Sequence, residues 1–236
     1  MHEIKCGKVS FVKIVKERNI VVKKFNRKEW MEYPKKVSYR GSLESCFMRE
    51  LKCLQALQDH ENFPNVIDFD KSRLSITMEY CGEHLDLTAD ISHYAPQIKA
   101  MVSMLENREI LIDYRSNELN SADKSSRIKE FANFYNRILE KDGLIYFIDF
   151  ETCVSTKLME PEILTENLVQ GCKRCNYNHL RSEMNAFIMG ENRESLIKYM
   201  DKEKSKRERI NIDENYKIIG KTDPSQSTLR NEDAFC

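Results

Sequence analysis

Five short stretches of this chain carry residue types that could do chemistry. IVVKKF places Lys23 and Lys24 at the end of a β-branched run, and FMRELKCLQAL places Glu50 in the middle of an amphipathic segment. ILIDYRSNEL carries Asp113, Arg115 and Asn117, and FIDFE carries Asp149 at the end of an apolar run. GCKRCNYNH sets Cys172, Cys175 and His179 close together. C-x-x-C is a common half of a zinc site, because two thiolates at that spacing can bind one tetrahedral ion. No second pair is evident, although Cys153 could join, and half-sites without partners are ordinarily not metal sites. Two lysines at a strand end, or one glutamate on a helix, are ordinarily solvated. The order of these residues along the chain therefore says more than any one of them.

The elements that must position them can be read from hydrophobic periodicity. Residues 9–25 alternate, turn at KERN and alternate again, which predicts a hairpin. Phe47, Leu51, Leu54 and Leu57 recur three or four apart, which predicts an amphipathic helix over 43–58. Pro64 ends it, and NVIDFD and RLSITMEY predict two more short strands. A helix is predicted over 91–107 through Ile91, Tyr94, Ile98, Met101, Val102 and Leu105. Another is predicted over 123–141 through Ile128, Phe131, Tyr135 and Ile138, followed by a buried strand at 144–150. Residues 161–200 read as helical pieces broken at Gly171 and Gly190. Val21 and Lys23 fall on one face of their strand, and Val22 and Lys24 on the other.

Composition narrows the function classes. In 236 residues, 38 Lys and Arg balance 38 Asp and Glu, so a general nucleic-acid binder, which needs a basic excess to release counterions, is not expected. With 41% hydrophobic and 32% charged residues the chain can bury a real core under a charged surface. No apolar run approaches the length of a membrane span, and MHEIKCGKVS lacks the apolar stretch of a secretory signal. The eight scattered cysteines read as reduced thiols in a cytoplasmic, intracellular protein.

The order strand, strand, strand, helix, strand, strand, then helices and a strand ending in Asp-Phe, resembles the protein kinase-like superfamily, over roughly residues 5–165. That resemblance implies an α+β, bilobal fold: a five-stranded N-lobe with its C helix over 1–81, and a reduced, mainly helical C-lobe over 82–200. It places an insertion at 120–143 and a charged tail at 201–236. A kinase carries a β3 lysine, a helix glutamate that pairs with it, and an Asp-Phe-Gly that holds magnesium. The resemblance assigns these roles to Lys23 (Lys24 being the second candidate), Glu50 and Asp149.

SITMEYCGEHL resembles the hinge, with Met78 as gatekeeper and Glu79 to Cys81 facing adenine. GKVSFVKI stands for the glycine-rich loop, keeping Gly7 and putting Val9 and Val12 where later glycines would be. Asp113 matches the catalytic aspartate, Arg115 a position where many kinases carry lysine, and Asn117 the second magnesium ligand, one residue early. Leu111 and Ile112 replace the His-Arg pair, Glu151 replaces the glycine of Asp-Phe-Gly, and MEPEIL at 159–164 resembles the A-P-E stretch. The implied function is a minimal serine/threonine protein kinase that uses ATP and Mg²⁺ and acts on a protein, in the host cytosol if its source is a virus or an effector-secreting bacterium. The degenerate loops also fit a pseudokinase, and Asp-Phe-Glu also resembles choline and aminoglycoside kinases.

Overall fold

A computed structural model describes residues 3–6, 10–25, 39–113, 124–173 and 176–205. Contacts divide the chain into two units, Met1–Arg193 and Glu194–Cys236. In the second unit, residues 194–205 are helical.

The N-terminal part is a five-stranded antiparallel sheet in the order β1-β2-β3-β5-β4, formed by β1 (Glu3–Cys6), β2 (Ser10–Val15), β3 (Ile20–Phe25), β4 (Val66–Asp70) and β5 (Ser75–Glu79). The β2–β3 connection is a 3-10 turn that ends on Asn19 in the left-handed conformation, which asparagine tolerates better than most residues. Helix α1 (Leu43–Leu57) begins where the Ser42 side chain accepts a hydrogen bond from the Ser45 amide. Its apolar stripe buries Phe47, Leu51, Leu54 and Leu57, and Phe47 meets Phe25 of β3 edge-on at 6.0 Å. That contact seats the helix over the third strand, where alternation buries Lys23 and exposes Lys24.

Beyond the short β6 (Glu83–His84), helix α2 (Ala95–Asn107) buries Ile98, Met101, Val102 and Leu105 on its predicted face. The two-residue strand β7 (Leu111–Ile112) leads to Asp113 and pairs antiparallel with β10 (Cys153–Val154). Asp113 and the segment after Asp149 are therefore neighbours. Helix α3 (Lys124–Tyr135) stops six residues short of the end predicted for it at 141. Ile138–Lys141 is instead strand β8, which pairs with β9 (Leu144–Phe147) through Asp142 and Gly143, both at positive φ. Asp-Gly is a strong hairpin signal, and it outweighs Ile138, whose spacing continues the helical period.

Helix α4 (Glu166–Lys173) runs through Gly171 without a break, contrary to the expectation that Gly171 would end it. Helix α5 (Tyr177–Ile188) does end beside Gly190, at φ 81°. The stretch likened to A-P-E contains a 3-10 turn at Pro161–Ile163. Among the described residues no helix is long and apolar enough to cross a membrane.

Candidate active site

Strand β3, helix α1 and the turn after β9 bring three residues far apart in sequence to one place. Lys23 Nζ donates to Glu50 Oε1 at 3.0 Å and to Asp149 Oδ1 at 2.8 Å, and lies 3.9 Å from Glu151 Oε2. Lys23, Glu50 and Glu151 are buried, whereas 37% of the Asp149 side chain remains exposed. The Glu151 carboxylate also pairs with Arg40.

Burial alone would push the Lys23 ammonium down, but the charges of Asp149, Glu50 and Glu151 outweigh it and hold it above its ordinary range. Burial would raise Asp149 as well. Lys23 and Arg137 prevail there and hold its carboxyl below the usual range. At Glu151 burial and the nearby Asp149 charge win, and its carboxyl is pushed up to about 7. Glu50 is likewise raised by burial, against the pull of Lys23.

Arginines fix the backbone around these carboxylates. Arg137, buried between α3 and β8, donates to the Asp149 carbonyl at 2.9 Å, to Thr152 Oγ1 at 2.8 Å and to the Asp113 carbonyl at 3.3 Å. One guanidinium fork thus ties the Asp113 loop to the Asp149 turn. Asp149 has φ 71°, a left-handed conformation that costs a non-glycine residue about 1 kcal/mol and needs outside support. Arg49, fully buried on α1, donates to the carbonyls of Glu151 (2.8 Å), Ile163 and Arg40. The residue beside Glu50 thereby holds the segment that follows Asp149.

Other residues singled out from the sequence fall as follows. Met78 is buried on β5, facing Val21 across the ladder, and Val12 faces Lys23 from β2. The Glu79 amide bonds the Asn65 carbonyl, and Cys81 is buried with its thiol against the Glu79 carbonyl. The Asp113 side chain accepts a hydrogen bond from the Tyr39 hydroxyl. Gly7, Arg115, Asn117 and Cys175 lie outside the described residues. Cys172 is a core thiol packed with Val154 and Leu168, and the Asn176 side chain caps α5 by accepting a hydrogen bond from the His179 amide. No group of three His, Cys, Asp or Glu that could hold a metal occurs among the described residues.

Sequence reasoning missed Arg137, Arg49, Arg40 and Tyr39. Each acts on carbonyls or carboxylates from distant segments, which leaves no mark on local periodicity. A faint signal existed for Arg49, an arginine in the middle of a helix whose neighbours are otherwise mostly apolar.

The five-stranded sheet, the β3 lysine paired with a helix glutamate, and the paired β7 and β10 beside Asp113 and Asp149 form a protein kinase-like architecture. No family model matches the chain, and no curated protein matches it in sequence. Solved structures similar to it include two kinases. One is the Rio2 kinase–ADP/Mg²⁺-phosphoaspartate complex from Chaetomium thermophilum, at 16% identity over 85% of this chain and 70% of that one, with a TM-score of 0.42. The other is choline kinase LicA from Streptococcus pneumoniae, at 14% identity over 86% of each chain, with a TM-score of 0.37.

Proposed function

We propose that the chain is an ATP-dependent phosphotransferase whose acceptor is a protein hydroxyl, that of a Ser or Thr side chain. The observation that carries this reading is the Lys23 contact with both Glu50 and Asp149, across sequence separations of 27 and 126 residues. ATP is a polyanion. A lysine buried on a strand and oriented by a helix carboxylate supplies a fixed cation for its α- and β-phosphates. Buried structural ion pairs exist without function, but this one leaves the Asp149 carboxylate partly open beside it.

Mg²⁺ fits the residues present. It is commonly held by one or two carboxylates together with substrate phosphates rather than by an all-protein cage. Asp149 is a partly exposed carboxylate, and Glu50 Oε2 is buried with no hydrogen-bond partner. Asp149 would hold the ion, which when bound neutralises charge on the transferred phosphoryl group. Asp113 takes the proton of the acceptor hydroxyl, and Arg137 keeps the Asp113 and Asp149 backbones together. Met78, Glu79 and Cys81 line the adenine side.

A thermal-shift titration tests the nucleotide half of the reading. Mg-ATP at about 100 times its Kd stabilises a folded chain that binds it by about 2.7 kcal/mol, and the gain disappears on chelation. An unmoved melting curve refutes it. Transfer from γ-labelled ATP to generic protein acceptors tests the other half, and binding without transfer marks a pseudokinase. A small-molecule acceptor is the second reading, favoured by Glu151 in Asp-Phe-Glu. Choline and aminoglycosides in the same assay decide between the two.

A further inference from the structure

Asp113 already carries a hydroxyl. Tyr39 reaches it from the short segment that precedes α1, and donates its phenolic hydrogen bond to Asp113 Oδ2. Contacts from α1 and from the C-terminal part anchor this segment. Thr165 Oγ1 donates to the Tyr39 carbonyl, Arg49 donates to the Arg40 carbonyl, and Arg40 pairs with Glu151. The Tyr39 ring packs on the apolar cluster of Val154, Leu168 and Cys172. A Cβ on Gly171 would collide with the Tyr39 hydroxyl, so glycine at that point of α4 makes the slot in which the hydroxyl lies. The same Arg137 fork that touches the Asp113 carbonyl touches the Asp149 carbonyl, so the residue that accepts this hydroxyl is tied to the Asp149 turn.

We propose that Tyr39 is an intramolecular phosphoryl acceptor, and therefore a modification site of the chain. The proposal rests on the phosphotransferase reading and adds to its Ser or Thr acceptor a tyrosine within the chain itself. Tyr39 Oη forms the new bond to the γ-phosphorus of ATP as the bond from that phosphorus to the β–γ bridging oxygen breaks. ADP leaves with that electron pair, and the phenolic proton passes to Asp113 Oδ2. A hydroxyl hydrogen-bonded to the group that takes its proton is the ground-state arrangement general-base catalysis requires. The product phosphate carries about −1.5 to −2 charges beside the Asp113 carboxylate, and the like charges repel. It cannot stay there. The reaction is therefore self-limiting at one phosphoryl group per chain, and it frees Asp113.

The full chain incubated with Mg-ATP and followed by intact mass and peptide mapping tests this. The expected result is a single phosphoryl group on Tyr39, formed with a first-order rate constant that does not change across a wide dilution series. Asp113→Asn should slow it by roughly 10²-fold or more. Tyr39→Phe, with its melting curve checked, should carry no phosphate on that peptide. Labelling of an external acceptor with Tyr39 unmodified overturns the inference and leaves the function standing. A rate proportional to chain concentration overturns the intramolecular step, and stabilisation by Mg-ATP with no phosphate anywhere overturns the inference as a whole. If Mg-ATP neither stabilises the chain nor labels anything, the phosphotransferase reading falls first.

Discussion

Replacing Lys23 by methionine removes a cation that lies 2.8 to 3.9 Å from Asp149, Glu50 and Glu151. At an effective dielectric constant of about 20, each of these pairs attracts by about 4–6 kcal/mol. Desolvation of the ammonium and repulsion among the three carboxylates offset most of that sum. Removing one partner of a buried ion pair costs about 3–5 kcal/mol net, because the remaining charges stay buried without compensation. In a chain of this size that lowers Tm by about 6–20 °C.

The loss depends on pH with a definite sign. In the wild type the raised Lys23 keeps its contribution at every pH below about 10, where an unfolded lysine is also charged. In Lys23→Met, the already raised Glu50 and Glu151 lose the positive charge that opposed their rise. The folded variant then binds protons that the unfolded chain, with glutamates near 4.3, does not. Its stability climbs as pH falls from about 8 to about 5, and the gap to the wild type narrows. Asp149, held low by Lys23 and Arg137 in the wild type, also loses the Lys23 charge in the variant and shifts upward in the same sense. Urea unfolding followed by circular dichroism at four pH values measures the gap. A gap below about 1 kcal/mol at pH 8, or one that stays constant down to pH 5.5, refutes the electrostatic account of the cluster.

Asp113→Ala should abolish phosphoryl transfer while leaving the Mg-ATP thermal shift intact, because a base acting on the acceptor contributes in the transition state rather than to nucleotide affinity. Equal activity in that variant would move the base elsewhere. Arg137→Ala strands two carbonyls and the Thr152 hydroxyl, and urea unfolding should show a loss of about 3–5 kcal/mol. Arg137→Lys keeps the charge without the fork and should recover only part of it. Glu151 at about 7 lies above its unfolded value, so its ionisation opposes folding increasingly from about pH 4.5 up to 7 and fully above. Glu151→Gln should therefore flatten the decline of stability across that window in urea titrations, and an unchanged slope would refute the assignment.

The sequence by itself determined the order of the elements and the residues that sit inside local patterns. The β2–β3 hairpin, the apolar stripe of α1 and the Asp-Phe at the end of an apolar run are short-range features, set by alternation, helical spacing and turn chemistry. Lys23, Glu50 and Asp149 were legible because each lies within one of them. Only tertiary structure chose between Lys23 and Lys24, since alternation offers two faces and packing of α1 on the sheet decides which one is buried. It also ended α3 at Tyr135, where pairing of Ile138–Lys141 with β9 outweighs continued helical spacing. Gly171 reads in sequence as a helix breaker and serves in the fold as space for the Tyr39 hydroxyl. Arg137, Arg49 and Tyr39 take their meaning from partners 12, 114 and 74 residues away. A buried hydrogen bond depends on what folding brings within about 3 Å, and no local pattern encodes that distance.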